Sequence, residues 1–498
     1  MPNGSESEND TGPLPDLRAR AVGGLVWSAL ENWGSKGIAF AVSLVLARLL
    51  SPEVFGIASA AMLFLALVPL IAEFGFGDAI VQRRSLEDDD ASLPFYLSLA
   101  VSLAGVAIFI LFSGWIAQWL GIPEYQAYIV AIGITLPLSI PLGFQDAFYR
   151  RQLRFRASAV RSLAGSLAAG VAGIAGALAG LGVWTFVVQA YVGTIVMLAL
   201  LWWRPLWVPG WRFPKGSLAS LLRFSVPTVA QRLIDFAGTR VIDLIIILQI
   251  GLAAYGMFVM ASRLYQTLLQ LLQGAFFKVT FALLSQIAGQ RERLVNAFEE
   301  TVAVAAAMIS PVFVLLAALA PEICDVMLGE KWLGTAELAR PLLLLGAVHC
   351  VQYMNGAFLA SSGRPGQILI TGALRCALQI VALVLFRASD SVTLTWVFVA
   401  ASLGLTPVSY AMVTRELGIG IWHAARLLFR PWMLAAIAYF GVEAVRPVAM
   451  DMIAAPFPRG MVLGAVFASC YGALMFLFAR RWTDRCLRLV REVAGKSA

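Results

Sequence analysis

Residues 225–247 read SVPTVAQRLIDFAGTRVIDLIII, an apolar stretch that carries Arg232, Asp235, Arg240 and Asp243. Opposite charges three residues apart are neighbours on a helix, so each Arg–Asp couple can neutralise itself. The same groups, together with Thr239, also fall within about 140° of helical arc and can face water as one stripe. A charge at mid-membrane costs roughly 2.5–3.5 kcal/mol on insertion scales, which favours a watery interior for such a stripe. The stretch that begins at residue 21 repeats the pattern with Ser28, Glu31, Asn32, Ser35, Lys36 and Ser43. Glu73, Arg263 and Arg375 lie in other apolar stretches with no opposite charge at helical spacing, and the nearest polar neighbour of Arg375 is Gln379. Lys36, Arg232, Arg240, Arg263 and Arg375 therefore describe an interior biased toward anions. Arg48, off the stripe, is expected to snorkel.

The elements that must position these side chains follow from composition. The 498 residues are 60% hydrophobic and only 13% charged, against roughly 25% charged in soluble domains. A membrane-spanning helix needs about 20 mostly apolar residues, and fourteen stretches qualify, from 21–49 through 219–248 and 253–277 to 458–479. The fold expected is all-α and polytopic. The first twenty residues are polar and are expected to form a disordered cytoplasmic tail. With both termini cytoplasmic, 26 Lys and Arg fall on the cytoplasmic side and 5 on the other, namely Lys331, Arg340, Arg387, Arg446 and Arg459. That split obeys the positive-inside rule, and it accounts for the net charge of +8 without nucleic acid as a partner. Five cysteines, with only Cys324 on the outer side, give no disulfide framework.

The chain also repeats itself. At an offset of 200, Ser28 matches Thr228, Glu31 matches Gln231, Asn32 matches Arg232, Ser35 matches Asp235, Ser43 matches Asp243, and Phe55-Gly56 matches Tyr255-Gly256. Two six-helix lobes are expected, 21–204 and 218–415, related by a pseudo-twofold along the membrane normal. Two further helices (427–480) and a basic tail (481–498) complete the chain. His349 reads as a packing histidine or a titrating one. Gln352 and Asn355 on the same helix could meet ligand hydroxyls or simply tie helices together. His423, in IWHAARLLFRPW, belongs to an amphipathic segment expected to lie in the interface with Trp422 and Trp432 as anchors. The glycine-rich 165–182 stretch is a helix-packing surface. There is no GxxxxGK[ST], HExxH, paired Cys and His ligands or G-x-S-x-G, so an enzyme or an ATP-driven pump is disfavoured and neither cofactor nor metal is expected.

VLARLLSPEVFGIASA (45–60), EFGFGDAIVQR (73–83) and RRQLRFRASAVRS (150–162) resemble the polysaccharide transporters of the multidrug/oligosaccharidyl-lipid/polysaccharide exporter superfamily, in particular the O-antigen, capsule and exopolysaccharide flippases called Wzx. The resemblance implies a bacterial inner-membrane protein that moves an undecaprenyl-diphosphate-linked oligosaccharide to the periplasmic leaflet by alternating access. Membrane lipids, a glycan polymerase and glycosyltransferases would be its partners. On that reading Lys36, Arg232, Arg240, Arg263 and Arg375 attract the pyrophosphate, and Asn32, Gln231, Gln352 and Asn355 meet sugar hydroxyls. Glu31, Glu73, Asp235 and Asp243 either couple an ion or pair with those bases. Fourteen spans depart from the twelve of many members and resemble the related lipid II flippase. That flippase and a multidrug/cation antiporter of the same superfamily are the alternatives.

Overall fold

The computed structural model describes residues 14–82, 88–212, 238–270, 290–362, 364–388 and 390–479, together with Leu233 and Phe236. Its elements are helices: α1 (Leu14–Leu49), α2 (Pro52–Leu65), α3 (Leu67–Ala72), α4 (Phe76–Gln82), α5 (Ser92–Trp119), α6 (Gln126–Gly133), α7 (Ser139–Arg151), α8 (Phe155–Leu178) and α9 (Trp184–Trp202), then α10 (Gly238–Gln270), α11 (Arg291–Val304), α12 (Ser310–Ala318), α13 (Ala320–Leu328), α14 (Thr335–Ser361), α15 (Pro365–Leu385), α16 (Ser391–Gly404), α17 (Thr406–Leu417), α18 (Ile421–Met452) and α19 (Pro456–Phe478). No strand occurs among the described residues. In hydrocarbon every backbone polar group must be satisfied within its own segment, which for open chains leaves only the helix. Twelve helical stretches among the described residues are long and apolar enough to cross a membrane. One of them is α10, in which Gly251 takes φ 77° at the point where the sequence separates its seventh and eighth spans.

The chain forms two compact units, residues 1–43 with 64–233, and residues 44–63 with 234–498. In the first unit α8 and α9 pack through small residues, as a Cβ on Gly193 would lie 2.8 Å from the Ala169 Cβ and one on Gly165 3.4 Å from the Gly193 carbonyl. One end of this unit is an aromatic core. Phe148 stacks on Trp207 at 5.1 Å, and Phe95 meets Phe144 edge-on at 5.3 Å. The Gln145 amide donates to the Trp207 carbonyl at 2.5 Å and accepts from the Leu206 N–H at 3.3 Å, which fixes the segment after α9 against α7. The apolar stretch that continues from α2 is interrupted. Between α3 and α4 the backbone of Phe74 (φ 43°) and Gly75 (φ 68°) turns left-handed, a conformation that costs a non-glycine residue of order 1 kcal/mol or more.

In the second unit two helices touch backbone to backbone. A Cβ on Gly256 would sit 2.9 Å from the Gly56 nitrogen, and one on Gly56 3.4 Å from the Gly256 nitrogen and in overlap with the Leu252 carbonyl. These are the two glycines that the repeat aligns, and no other residue allows so close a crossing. Trp332, fully buried, donates from Nε1 to the Ala47 carbonyl at 2.6 Å and packs edge-on against Phe55 at 5.2 Å. Arg48 does not snorkel; it donates to the Met327 carbonyl at 3.1 Å and to that of Val326. Between α11 and α12 a π-turn (Ala305–Ile309) precedes Pro311 and absorbs the hydrogen bond that proline cannot make. The segment containing His423 is the first turns of α18 rather than a separate interfacial helix. Its Trp432 donates inward to Ser310 Oγ at 3.1 Å, whereas Trp422 is exposed.

Candidate functional site

Gln231, Arg232 and Asp235 lie outside the described residues. Of the remaining intramembrane ions in the second unit, Arg240 and Asp243 form the i,i+3 pair that their spacing allows, at 3.0 Å, with Arg240 also 5.4 Å from the centre of the Phe236 ring. Arg263 and Arg375, both partly buried, have no carboxylate partner among the described residues. Arg375 sits on α15 beside α10, because Gly238 faces Cys376 and Gln249 Nε2 donates to the Leu383 carbonyl at 2.6 Å. Nearby in the same unit, Tyr265 Oη and His349 Nδ1 are joined at 2.8 Å. His349 Nε2 is buried without a hydrogen-bond partner among the described residues. Tyr265 and His349 thus form one polar pair, and Gln352 stands one helical turn from His349.

Gln352 is partly accessible and accepts from Thr406 Oγ1 at 3.3 Å. Asn355 is sealed at 1% exposure and donates to Ser409 Oγ at 3.1 Å, so it joins α14 to α17 and offers no surface to a ligand. Gln379, the neighbour expected for Arg375, donates instead to Ser402 Oγ at 2.7 Å. Among the described residues no cluster of His, Cys, Asp and Glu could hold a metal ion.

The first unit carries a second polar arrangement. Asn32 and Lys36 are exposed on α1, and Lys36 makes no ion pair with a described residue. Glu31 points the other way, toward Ser158, whose hydroxyl lies 3.3 Å from Glu31 Oε1 and 2.7 Å from Asp146 Oδ1. Asp146 pairs with Arg150 Nε at 2.9 Å. Arg150 and Glu73 line one cleft of about 240 Å³ with Gly75, Gly77, Gly143, Ile140 and Phe144. Glu73, which the sequence left without a partner at helical spacing, therefore shares a cavity with a cation from α7. The left-handed break at Phe74 and Gly75 places it there. Asp146 and Arg150 have the i,i+4 spacing of a helical ion pair, a signal that the sequence reading did not use.

Also unrecognised in the sequence is a buried ionic network in the second unit. Glu322 accepts from Arg446 at 2.5 Å and lies 3.4 Å from Arg459; Glu443 pairs with Arg446 at 3.1 Å and with Arg340 at 3.3 Å. It joins α13, α14, α18 and α19. The three arginines had appeared only as outer-side positive charges.

Long apolar helices in two compact units, with charged side chains set among them, define a multi-pass α-helical membrane protein. The whole fold is similar to that of a solved lipid II flippase MurJ in an inward closed conformation, with a TM-score of 0.70 at 14% identity over 92% of this chain and 99% of that one. The chain belongs to the polysaccharide biosynthesis protein family, whose model matches residues 45–337. Among curated relatives it is 25% identical to the succinoglycan biosynthesis transport protein ExoT of Rhizobium meliloti strain 1021, over 97% of this chain and 98% of that one. It is 22% identical to the lipopolysaccharide biosynthesis protein WzxC of Escherichia coli strain K12, over 70% and 71%.

Proposed function

We propose that the protein flips an undecaprenyl-diphosphate-linked oligosaccharide from the cytoplasmic to the periplasmic leaflet of a bacterial inner membrane, for surface or exopolysaccharide synthesis. The observation that carries this reading is the excess of positive charge within the apolar helices: Arg263 and Arg375 face no described carboxylate, and Lys36 is exposed without one. A diphosphate head cannot enter hydrocarbon unaided, since each unsatisfied polar group there costs several kcal/mol. A wet cationic lumen replaces its water with guanidinium and ammonium donors. Lys36, Arg240, Arg263, Arg375 and Arg232 are assigned to the pyrophosphate. Asn32, Gln231 and Gln352 are assigned to sugar hydroxyls, and the buried Asn355 is assigned to helix packing.

Moving negative charge outward from an inside-negative cell is favoured by about 2.3 kcal/mol per charge per 100 mV, so voltage can supply direction. The pairing of Asp243 with Arg240 and of Asp146 with Arg150 gives these carboxylates a charge-balancing role and supports voltage over ion exchange. The 26 to 5 distribution of Lys and Arg supports cytoplasmic termini, and the glycosyltransferases and polymerase of the same glycan are the partners this role requires. In a strain lacking the native gene, Arg375→Gln combined with Arg263→Gln is expected to abolish surface glycan and accumulate its lipid-linked precursor, with membrane abundance of the protein unchanged. Normal export by that variant would remove the two arginines from the pathway. Rescue of cells depleted of their lipid II flippase, or a shift in a cationic-drug susceptibility panel, would instead favour the corresponding relative's activity.

A further inference from the structure

The cleft in the first unit combines features that the second unit's arginines do not. Its two ionised walls have opposite sign, Glu73 and Arg150, and Arg150 is already paired with Asp146 at 2.9 Å. Asp146 in turn shares Ser158 with Glu31. A diphosphate entering here would meet the Glu73 carboxylate beside a guanidinium that Asp146 already neutralises, and a cation would meet Arg150. Neither kind of strongly charged ligand suits the site. A hydroxyl group does, because it donates to a carboxylate and accepts from a guanidinium at once.

The remaining wall is glycine: Gly75, Gly77 and Gly143 bring bare backbone to the surface, which permits close approach by a ring edged with hydroxyls. Ile140 and Phe144 close the floor with apolar carbon, against which ring C–H groups can pack. At about 240 Å³ the space falls below the roughly 300–1,000 Å³ of pockets for drug-sized ligands, and it suits a single sugar ring. The cleft runs along α7 from Ile140 to Arg150 beside Gly77 of α4, and the basic last turn of α7 is the end that the positive-inside rule assigns to the cytoplasm.

From these features we infer that the cleft lined by Glu73, Arg150 and Gly143 is a subsite for a neutral hexopyranose unit of the transported glycan. It recognises the sugar within the first unit, by contacts that are separate from those assigned to the diphosphate. The inference rests on the proposed function for the identity of the larger ligand, but the subsite is testable by itself.

Gly143 supplies the test. A Cβ added there meets nothing within 4 Å, and leucine is a far better helix former than glycine, so Gly143→Leu fills the cleft without disturbing the fold or any charge. The full chain in lipid nanodiscs is mixed with millimolar methyl α-D-glucopyranoside, galactopyranoside or mannopyranoside, a range that populates weak complexes, and saturation-transfer NMR reads binding. A parallel arm follows broadening of the ³¹P signal of inorganic pyrophosphate. At least one glycoside is expected to give a signal with the wild type that falls at least fivefold in Gly143→Leu and in Glu73→Ala, while pyrophosphate broadening persists in both. Arg375→Gln is expected to do the reverse. If no glycoside binds the wild type, if Gly143→Leu binds it equally well, or if pyrophosphate displaces it, the subsite is refuted. If pyrophosphate binds nowhere and Gly143→Leu still removes the glycoside signal, the diphosphate assignment fails and the sugar subsite stands.

Discussion

Substitution of Glu322 by glutamine tests whether the ionic network holds the last two helices to the second unit. Glu322 is 3% exposed and faces Arg446 at 2.5 Å and Arg459 at 3.4 Å. Removing one partner of a buried pair costs about 3–5 kcal/mol, because the remaining charge stays desolvated. Here the loss is softened in two ways. Arg446 keeps Glu443 at 3.1 Å and the Ala318 carbonyl, and glutamine retains one carbonyl acceptor. The lower end, about 3 kcal/mol, is therefore expected. For domains of 150–250 residues each kcal/mol moves the melting temperature by roughly 2–4 °C, so the detergent-solubilised variant should melt roughly 6–12 °C below the wild type. The surface pair Arg364–Glu416, with the arginine 55% exposed, is the control, and Glu416→Gln should shift melting by at most about 1 kcal/mol worth. Adding Arg446→Met to Glu322→Gln should recover part of the loss by removing the stranded cation. A shift no larger than the control, or a further fall on adding Arg446→Met, would refute the assignment of a buried charge lock.

Other outcomes can be read as directly. Gly56→Leu drives carbon into the Leu252 carbonyl and should cost more than the ~1–3 kcal/mol typical of overpacking, seen as loss of monodisperse protein on fluorescence-detected gel filtration; Gly37→Leu, which meets nothing within 4 Å, should not. Trp332→Phe leaves the Ala47 carbonyl unpaired and should lower stability by about 1–3 kcal/mol in the same melting assay. The Asp390 carboxyl, which caps α16, is held below the usual carboxylate range by hydrogen bonding first to the Thr393 side chain and then to the Thr393 N–H, the latter at 2.8 Å. A depressed value means that its contribution is complete above the ordinary carboxylate range and disappears as pH falls through the lowered one. Protection of the Thr393 amide in hydrogen exchange should weaken only in acid, and should be low at every pH in Asp390→Ala.

Much of the architecture was legible because hydrocarbon leaves a chain few options. Apolar length alone marks the helices, and Gly251 falls where the seventh and eighth stretches divide. The repeat alignment picked out Gly56 and Gly256, yet it carried no sign that the two touch, since contact between segments 200 residues apart is a tertiary event. Local spacing also predicted the Arg240–Asp243 pair correctly as a possibility, but periodicity could not choose between pairing and solvation. It failed at Glu73, because the left-handed break at Phe74 and Gly75 changes the direction of the chain and no helical wheel extends through it. For Asn355 spacing could not choose between ligand hydroxyls and helix tying, and for Gln379 it showed no partner, because the serine hydroxyls that pair with them, Ser409 and Ser402, lie on neighbouring helices. The Glu322 network was invisible because its members come from four separate helices.

Residues 44–63 are made early but built into the later unit. The Ala47 carbonyl waits for Trp332, 285 positions downstream, which at about 5–20 residues per second is roughly 15–60 s of ribosome time. During that interval the outer ends of the first two helices must rest against lipid or an insertase. A gene split at the boundary between residues 233 and 234 would therefore yield two fragments of which the second lacks a strip of its own interior, and co-expression should succeed only if the first fragment threads that strip back.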